Sequence, residues 1–324
     1  MIVKLSFLYL ILHMKNEWPF NIYSNYLKKK YGCTVYRVAV DAGFSCPHRG
    51  EDRRAPGCSY CDEYGSRAPY LGDTSALHDQ ITGALSFLKQ RYRAQGFILY
   101  FQAFSNTFAP VKVLKSIYDY GLGLAPFKEL VVSTRPDCID AEIAVLLKSY
   151  KNEQRDVWVE LGLQSAHNNT LKMINRGHTV EAFLHAYELL KGFDIKIAVH
   201  VIFGLPGENQ TEILATIKLV ASLKPDGIKI HNLHIPYHTN MFTQYLRGEI
   251  TVPCPKTHLE YVINALSLLP PSTVILRLTC DTPAARLAAP KNFITKQQFF
   301  TWLKKEMLTR DIHQGSRYKK ENGN

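Results

Sequence analysis

Short apolar, β-branched runs alternate along this chain with longer stretches of helical periodicity. The runs Val35–Val40, Phe97–Phe101, Leu130–Ser133, Val157–Leu161, Ile195–Phe203 and Gly227–His231 predict six strands. Helical stretches are expected between them, near residues 74–93, 110–120, 139–149, 167–191 and 209–223. In the second of these, Val111, Leu114 and Ile117 recur at a spacing of three and give one buried face. The strands are apolar almost throughout, as expected when both faces of a sheet are covered. Such alternation implies a parallel sheet with right-handed crossovers. Six units are too few to close an eight-unit barrel. The expected fold is therefore α/β, an open partial (β/α)6 TIM-like barrel over residues 35–235, preceded by an N-terminal segment, 14–34.

After residue 236 the pattern loosens. A helix is expected over 256–269, stopped by Pro270 and Pro271, then a short strand at Thr273–Leu278. Thr295 and Gln298 form a capping box, followed by an apolar stripe of Phe299, Phe300, Leu303 and Met307. Residues 236–324 read as an extension packed on the barrel, ending in a basic tail. At the other end, the apolar run Ile2–Leu12 is shorter than the ~20 residues a bilayer-spanning helix needs. It also lacks a signal-peptide cleavage pattern, and Met14 follows it. Residues 1–13 read as an upstream extension rather than a membrane-associated segment, and no stable membrane association is expected.

Charge and cysteine content add to this picture. The net charge of +11 is carried by the ends: residues 1–37 hold +5 and 284–324 hold +6, while the body between is neutral. Basic ends on a neutral body suit contacts with a polyanion such as RNA, or simple solvation. The cysteines number seven, an odd count, and three fall within residues 46–61. That distribution argues against a disulfide framework. It favours a metal site in a reducing, cytoplasmic setting.

Cys46, Cys58 and Cys61 have the spacing C-x11-C-x2-C in a loop, 42–66, that follows the first strand. Three thiolates can hold a 4Fe–4S cluster with one iron left open, whereas most electron-transfer cubanes have four cysteines. The spacing leaves zinc open as well, with His48 as the fourth ligand. Cys33, Cys138, Cys254 and Cys280 share no close spacing and read as buried small hydrophobes, so no second cysteine group exists for an auxiliary cluster.

Beyond the cysteines, the segments DAGFSCPHRG (41–50), YFQAFSNTFAP (100–110), STRPD (133–137), ELGLQS (160–165), INRGHT (174–179), HVIFGLPGE (200–208), IKIHNLH (228–234) and LRLTCD (276–281) occur in this order. With them the chain resembles the radical S-adenosylmethionine (SAM) superfamily, specifically its YhcC-like group. That group is similar to the radical SAM parts of the Elongator acetyltransferase subunit and of oxygen-independent coproporphyrinogen oxidase. The long first cysteine gap departs from the common C-x3-C-x2-C but matches this group. Cys280 stands where the group's pattern has glycine, and it is not counted as a ligand.

The resemblance implies one oxygen-sensitive 4Fe–4S cluster on Cys46, Cys58 and Cys61, with SAM on the open iron. An electron from reduced flavodoxin or ferredoxin would cleave SAM to a 5′-deoxyadenosyl radical, which abstracts hydrogen from substrate. Tyr60 is implied near the adenine, and Gln102 and Asn106 near the SAM amino group. Gln164 and Arg176 are implied at the ribose and carboxylate, and Glu160 and His200 as further contacts. The substrate stays open between RNA and a small molecule such as a tetrapyrrole. A non-enzymatic zinc-binding protein is the remaining alternative.

Overall fold

A computed structural model describes residues 18–50, 53–55, 57–72 and 76–318. The expected upstream extension, 1–13, and the last tail residues lie outside the described residues. The six anticipated strands form as β1 (Val35–Val40), β2 (Gly96–Phe101), β3 (Phe127–Thr134), β4 (Asp156–Gln164), β5 (Lys196–Phe203) and β6 (Gly227–Asn232). They pair in parallel in sequence order. The short strand β8 (Val274–Arg277) then joins β6, also in parallel, so the half-barrel has seven strands rather than six. A two-residue strand, β7 (Ile235–Pro236), pairs separately with β9 (Leu287–Ala289).

Before and around β1 to β4 lie α1 (Tyr23–Tyr31), α2 (Leu77–Tyr92), α3 (Val111–Gly123) and α4 (Ala141–Ser149). The helix expected over 167–191 is two helices, α5 (Asn168–Met173) and α6 (Val180–Gly192). The break falls at Asn175 and Gly177, whose φ angles of 50° and 76° are left-handed. The remaining helices are α7 (Gln210–Leu223), α8 (Asn240–Leu246), α9 (Pro255–Leu268) and α10 (Lys296–Thr309). The α10 capping box forms in both directions, and Phe299, Leu303 and Met307 are fully buried beneath it. Among the described residues, no helix is long and apolar enough to cross a membrane.

Strand periodicity divides the side chains between two environments. One set, including Val38, Leu99, Leu130, Val159 and Val199, packs outward against the helices. The other set points into the barrel and is layered. At the base, Ile98, Val131, Trp158 and Ala198 pack with Leu27 and the tyrosines of α1. Helix α1 crosses the open bottom: Ile22 bridges to Ile275 of β8, and Lys30 bonds Glu129 (3.0 Å) and pairs with Asp156. Above this apolar base the inward positions turn polar, and the candidate site begins.

Candidate functional site

The polar layer is centred on Glu160, whose carboxylate is fully buried. It accepts from Arg37 Nη1 (2.6 Å), Tyr100 OH (2.6 Å) and Lys229 Nζ, and bonds His200 Nε2 (3.0 Å). Burial alone would raise the Glu160 pKa, but the Lys229 and Arg37 charges outweigh it and hold the carboxyl well below its usual range. Burial is the main cause holding the Lys229 ammonium well below its usual value and lowering His200 to about 4. His200 is therefore neutral at pH 7. The five side chains come from β1, β2, β4, β5 and β6, so the layer also fixes how the strands sit around the barrel.

Above it opens a cavity of about 430 Å³ at the C-terminal mouth of the sheet. Cys46, Cys58 and Cys61 all line it, together with Tyr60, Gln102, Gln164, Arg176 and His200. Two expected site residues do not reach it. Glu160 lies below the cavity floor in the network just described. Asn106 is fully buried, and its Nδ2 donates to the carbonyls of Phe101 (3.1 Å) and Ser133 (2.9 Å). Its amide bonds the ends of β2 and β3 together, and this use of the side chain turns it away from the cavity.

The cysteine loop is fixed from several sides. Arg49, nearly buried, donates from Nη2 to the carbonyls of Cys61 (2.7 Å) and Asp62 (2.6 Å). Asn175 Nδ2 donates to the Gly57 carbonyl (2.8 Å), and the Ser59 amide to the Ile174 carbonyl (3.0 Å). Arg286, just before β9, donates from Nε to Asp62 (2.9 Å). The break between α5 and α6 serves this assembly. It turns Arg176 back over β4, where Nη2 donates to the Gly162 carbonyl (3.0 Å) and Nη1 lies 3.6 Å from Cys58 Sγ. A Cβ on Gly162 would lie 2.6 Å from both Arg176 Nη2 and Gln164 Nε2, so glycine lets the two expected SAM contacts meet.

Arg135, from the STRPD segment, was not among the expected site residues. It is buried, pairs with Asp137 through two hydrogen bonds (2.9 and 2.7 Å), and places Nη1 3.7 Å from Cys58 Sγ. Burial raises the Cys58 thiol, but Arg176 and Arg135 together outweigh that and lower its pKa. Cys61 is pushed up to about 12 by burial and by Cys58. Cys46 Sγ lies 3.2 Å from Ser105 Oγ. Three thiols facing one cavity beside buried guanidiniums fit a negatively charged iron–sulfur group, which draws protons off its thiol ligands as it binds.

The zinc alternative finds less support. The His48 ring is turned to the Asn175 carbonyl (3.0 Å) and fills the space over Gly177, where a Cβ would come 1.7 Å from Nε2. No three His, Cys, Asp or Glu side chains among the described residues gather as ligands of a single ion. All seven cysteines are free, but Cys254 is exposed at the start of α9, contrary to its reading as a buried hydrophobe. Cys280 lines the cavity with Sγ 3.4 Å from His231 Nδ1. Lys229 and Arg37 were also missed, although a lysine inside the apolar run GIKI was a visible signal that something charged lies within the barrel.

A parallel half-barrel with a three-cysteine loop at its mouth defines a class. The family model described as Radical SAM superfamily matches residues 45–220, and a Radical_SAM C-terminal domain matches 225–309. The chain belongs to the radical SAM superfamily, whose cofactors are a 4Fe–4S cluster and SAM. It is similar to the protein YhcC of Escherichia coli (strain K12), 34% identical over 83% of this chain and 86% of that one. It is also similar to a tRNA uridine(34) acetyltransferase of Methanocaldococcus infernus, 32% identical over 48% of this chain and 29% of that protein. Among solved structures, the Elp3 of Methanocaldococcus infernus superposes with a TM-score of 0.66 at 20% identity, covering 87% of this chain and 64% of that one.

Proposed function

We propose that this chain is a radical SAM enzyme that holds one 4Fe–4S cluster on Cys46, Cys58 and Cys61 and acts on RNA. The carrying observation is that the three thiols and the Gln164–Arg176 pair line one cavity at the mouth of the half-barrel. When bound, the cofactors supply one-electron cleavage of SAM and hydrogen abstraction from substrate. The chain's own residues bind and orient. Arg176 keeps guanidinium donors for a carboxylate, Gln164 lies beside it, and Tyr60 offers a ring to the adenine. Gln102, tied by Nε2 to the Ser66 carbonyl (2.7 Å), and His200 are the further polar contacts. Glu160 acts as a positioning residue beneath His200 and Lys229. Asn106 holds the strand ends in place. A low-potential flavodoxin or ferredoxin is the electron donor, and the cytoplasm is the setting.

RNA as substrate is supported by the basic ends and by the likeness to a tRNA-acting protein over 48% of the chain. The test is anaerobic tRNA binding across a salt series, on wild type and on a variant with Lys296, Lys304 and Lys305 changed to glutamine. The slope of log affinity against log salt should flatten by about one for each phosphate that the variant no longer neutralises. An unchanged slope would remove RNA from the proposal. A small molecule such as a tetrapyrrole is the second reading, favoured by the size of the cavity, about 430 Å³, which is typical of small-molecule sites. It predicts turnover indifferent to added RNA.

A further inference from the structure

We infer that the cavity wall formed by the ends of β6 and β8 binds a phosphate group of the substrate, with Arg277 as its anchor. The inference rests on the radical SAM reading in one respect: it takes this cavity as the place where substrate meets the cofactors.

Charge pairing around the cavity leads to it. Arg67 pairs with Asp41, Arg135 with Asp137, Lys229 with Glu160 and Arg286 with Asp62. Arg49 and Arg176, beside the cysteine loop, donate to backbone carbonyls. Arg277 also lines the cavity, at the end of β8 in register with Lys229, yet its guanidinium has no hydrogen bond or ion pair with any described residue. A half-buried guanidinium is costly without a counter-charge. Asp281, which also lines the cavity, is exposed and makes no ion pair with it. His231 and His234 also line the cavity; burial first lowers both pKa values, Arg277 is among the charges that add to it, and Asp281 opposes it at His234.

A second observation concerns hydrogen-bond donors on the same wall. Asn232 is 1% exposed, and its Oδ1 accepts from the Cys280 amide (2.8 Å), which fixes the amide orientation. Its Nδ2 then has no acceptor among the described residues. His234 Nδ1 lies 2.9 Å from Thr282 Oγ1, and its Nε2 has no partner among the described residues; when Nδ1 accepts from the hydroxyl, Nε2 carries the proton. The wall thus carries a guanidinium, an amide and an imidazole with unused donor capacity. A phosphate, with several acceptor oxygens and its negative charge, can accept from all of these groups at once. The phosphate could belong to a polynucleotide backbone or to a small phosphorylated compound.

The test uses anaerobically reconstituted protein and measures binding of inorganic phosphate, adenosine 5′-monophosphate and a hexaribonucleotide at fixed ionic strength. Arg277→Met should weaken every probe that binds wild type by at least about tenfold, and Arg277→Lys should fall between. Iron, sulfide and melting temperature should match wild type in both variants. A hexanucleotide bound about ten times more tightly than the monophosphate would assign the site to RNA; equal affinities would assign it to a small phosphate. Arg277→Met binding as well as wild type, or a wild type that binds none of the three, would overturn the inference. Iron content in the same samples separates the two ideas. A wild type without iron that still binds phosphate through Arg277 would end the radical SAM reading and leave the phosphate site standing.

Discussion

Replacing Glu160 with glutamine probes the polar layer that carries the cavity. The substitution keeps volume and removes one buried negative charge. Arg37 and Lys229, with side chains only 19% and 6% exposed, then face each other without it. Breaking a buried pair by removing one partner costs about 3–5 kcal/mol. The lower part of that range applies here, because Lys229 is already held well below its usual pKa and can release its proton once Glu160 is neutral. At this chain length 1 kcal/mol corresponds to roughly 1.5 °C, so Glu160→Gln should melt about 5 °C below wild type. The double variant Glu160→Gln, Lys229→Met removes the unpaired buried amine as well, and should recover at least about 1 kcal/mol of that deficit. Thermal and urea unfolding followed by circular dichroism measure both. The charge argument is refuted if Glu160→Gln melts within about 1 °C of wild type, or if the two substitutions simply add.

Three further outcomes follow from single residues. His258 is fully buried, donates from Nε2 to the Leu278 carbonyl (2.8 Å), and has its pKa lowered to about 4 by burial. The unfolded chain protonates first, so stability is full above about pH 6.5 and falls by up to about 3 kcal/mol as pH drops to 4. His258→Phe should flatten this part of the acid limb in urea titrations at pH 7 and pH 4.5; an unchanged limb would refute it. Gly177→Ala forces a side chain onto a φ of 76° and into His48, and should cost about 1–3 kcal/mol for the backbone plus the clash. Adding His48→Ala should return only the clash, as unfolding curves of both variants would reveal. Arg49→Met leaves all three thiols intact but frees the carbonyls of Cys61 and Asp62, so reconstituted protein should lose iron to a chelator several-fold faster than wild type.

The strands were legible because both faces of each are buried, and the apolar runs therefore begin and end close to where the pairing does. β1 is bounded as the pattern predicts. The seventh strand was expected as a short strand over Thr273–Leu278 but not as part of the sheet, since nothing local in four residues says which sheet they join; its partner β6 lies more than forty residues away. The split between α5 and α6 was missed even though INRGHT has a single apolar residue, Ile174, and a glycine, which interrupt the helical pattern. The three cysteines and the Gln164–Arg176 pair, which line one cavity, stood out in the sequence because their chemistry and spacing are local. Asn106 and Glu160 do not line the cavity, because which side of a strand end a polar group serves depends on partners remote in sequence. Arg37 is 123 residues from Glu160, and Ser133 is 27 from Asn106. Likeness to known proteins adds the family.

The most direct test of the central claim is to purify the full chain without oxygen and assay iron, sulfide, zinc and absorbance near ~410 nm on one sample, then supply SAM and dithionite and measure 5′-deoxyadenosine. The proposed function predicts a brown protein with about four irons and four sulfides that forms 5′-deoxyadenosine, and colourless Cys46→Ala, Cys58→Ala and Cys61→Ala variants that do not. A wild type that stays colourless after anaerobic reconstitution and carries stoichiometric zinc instead would contradict it.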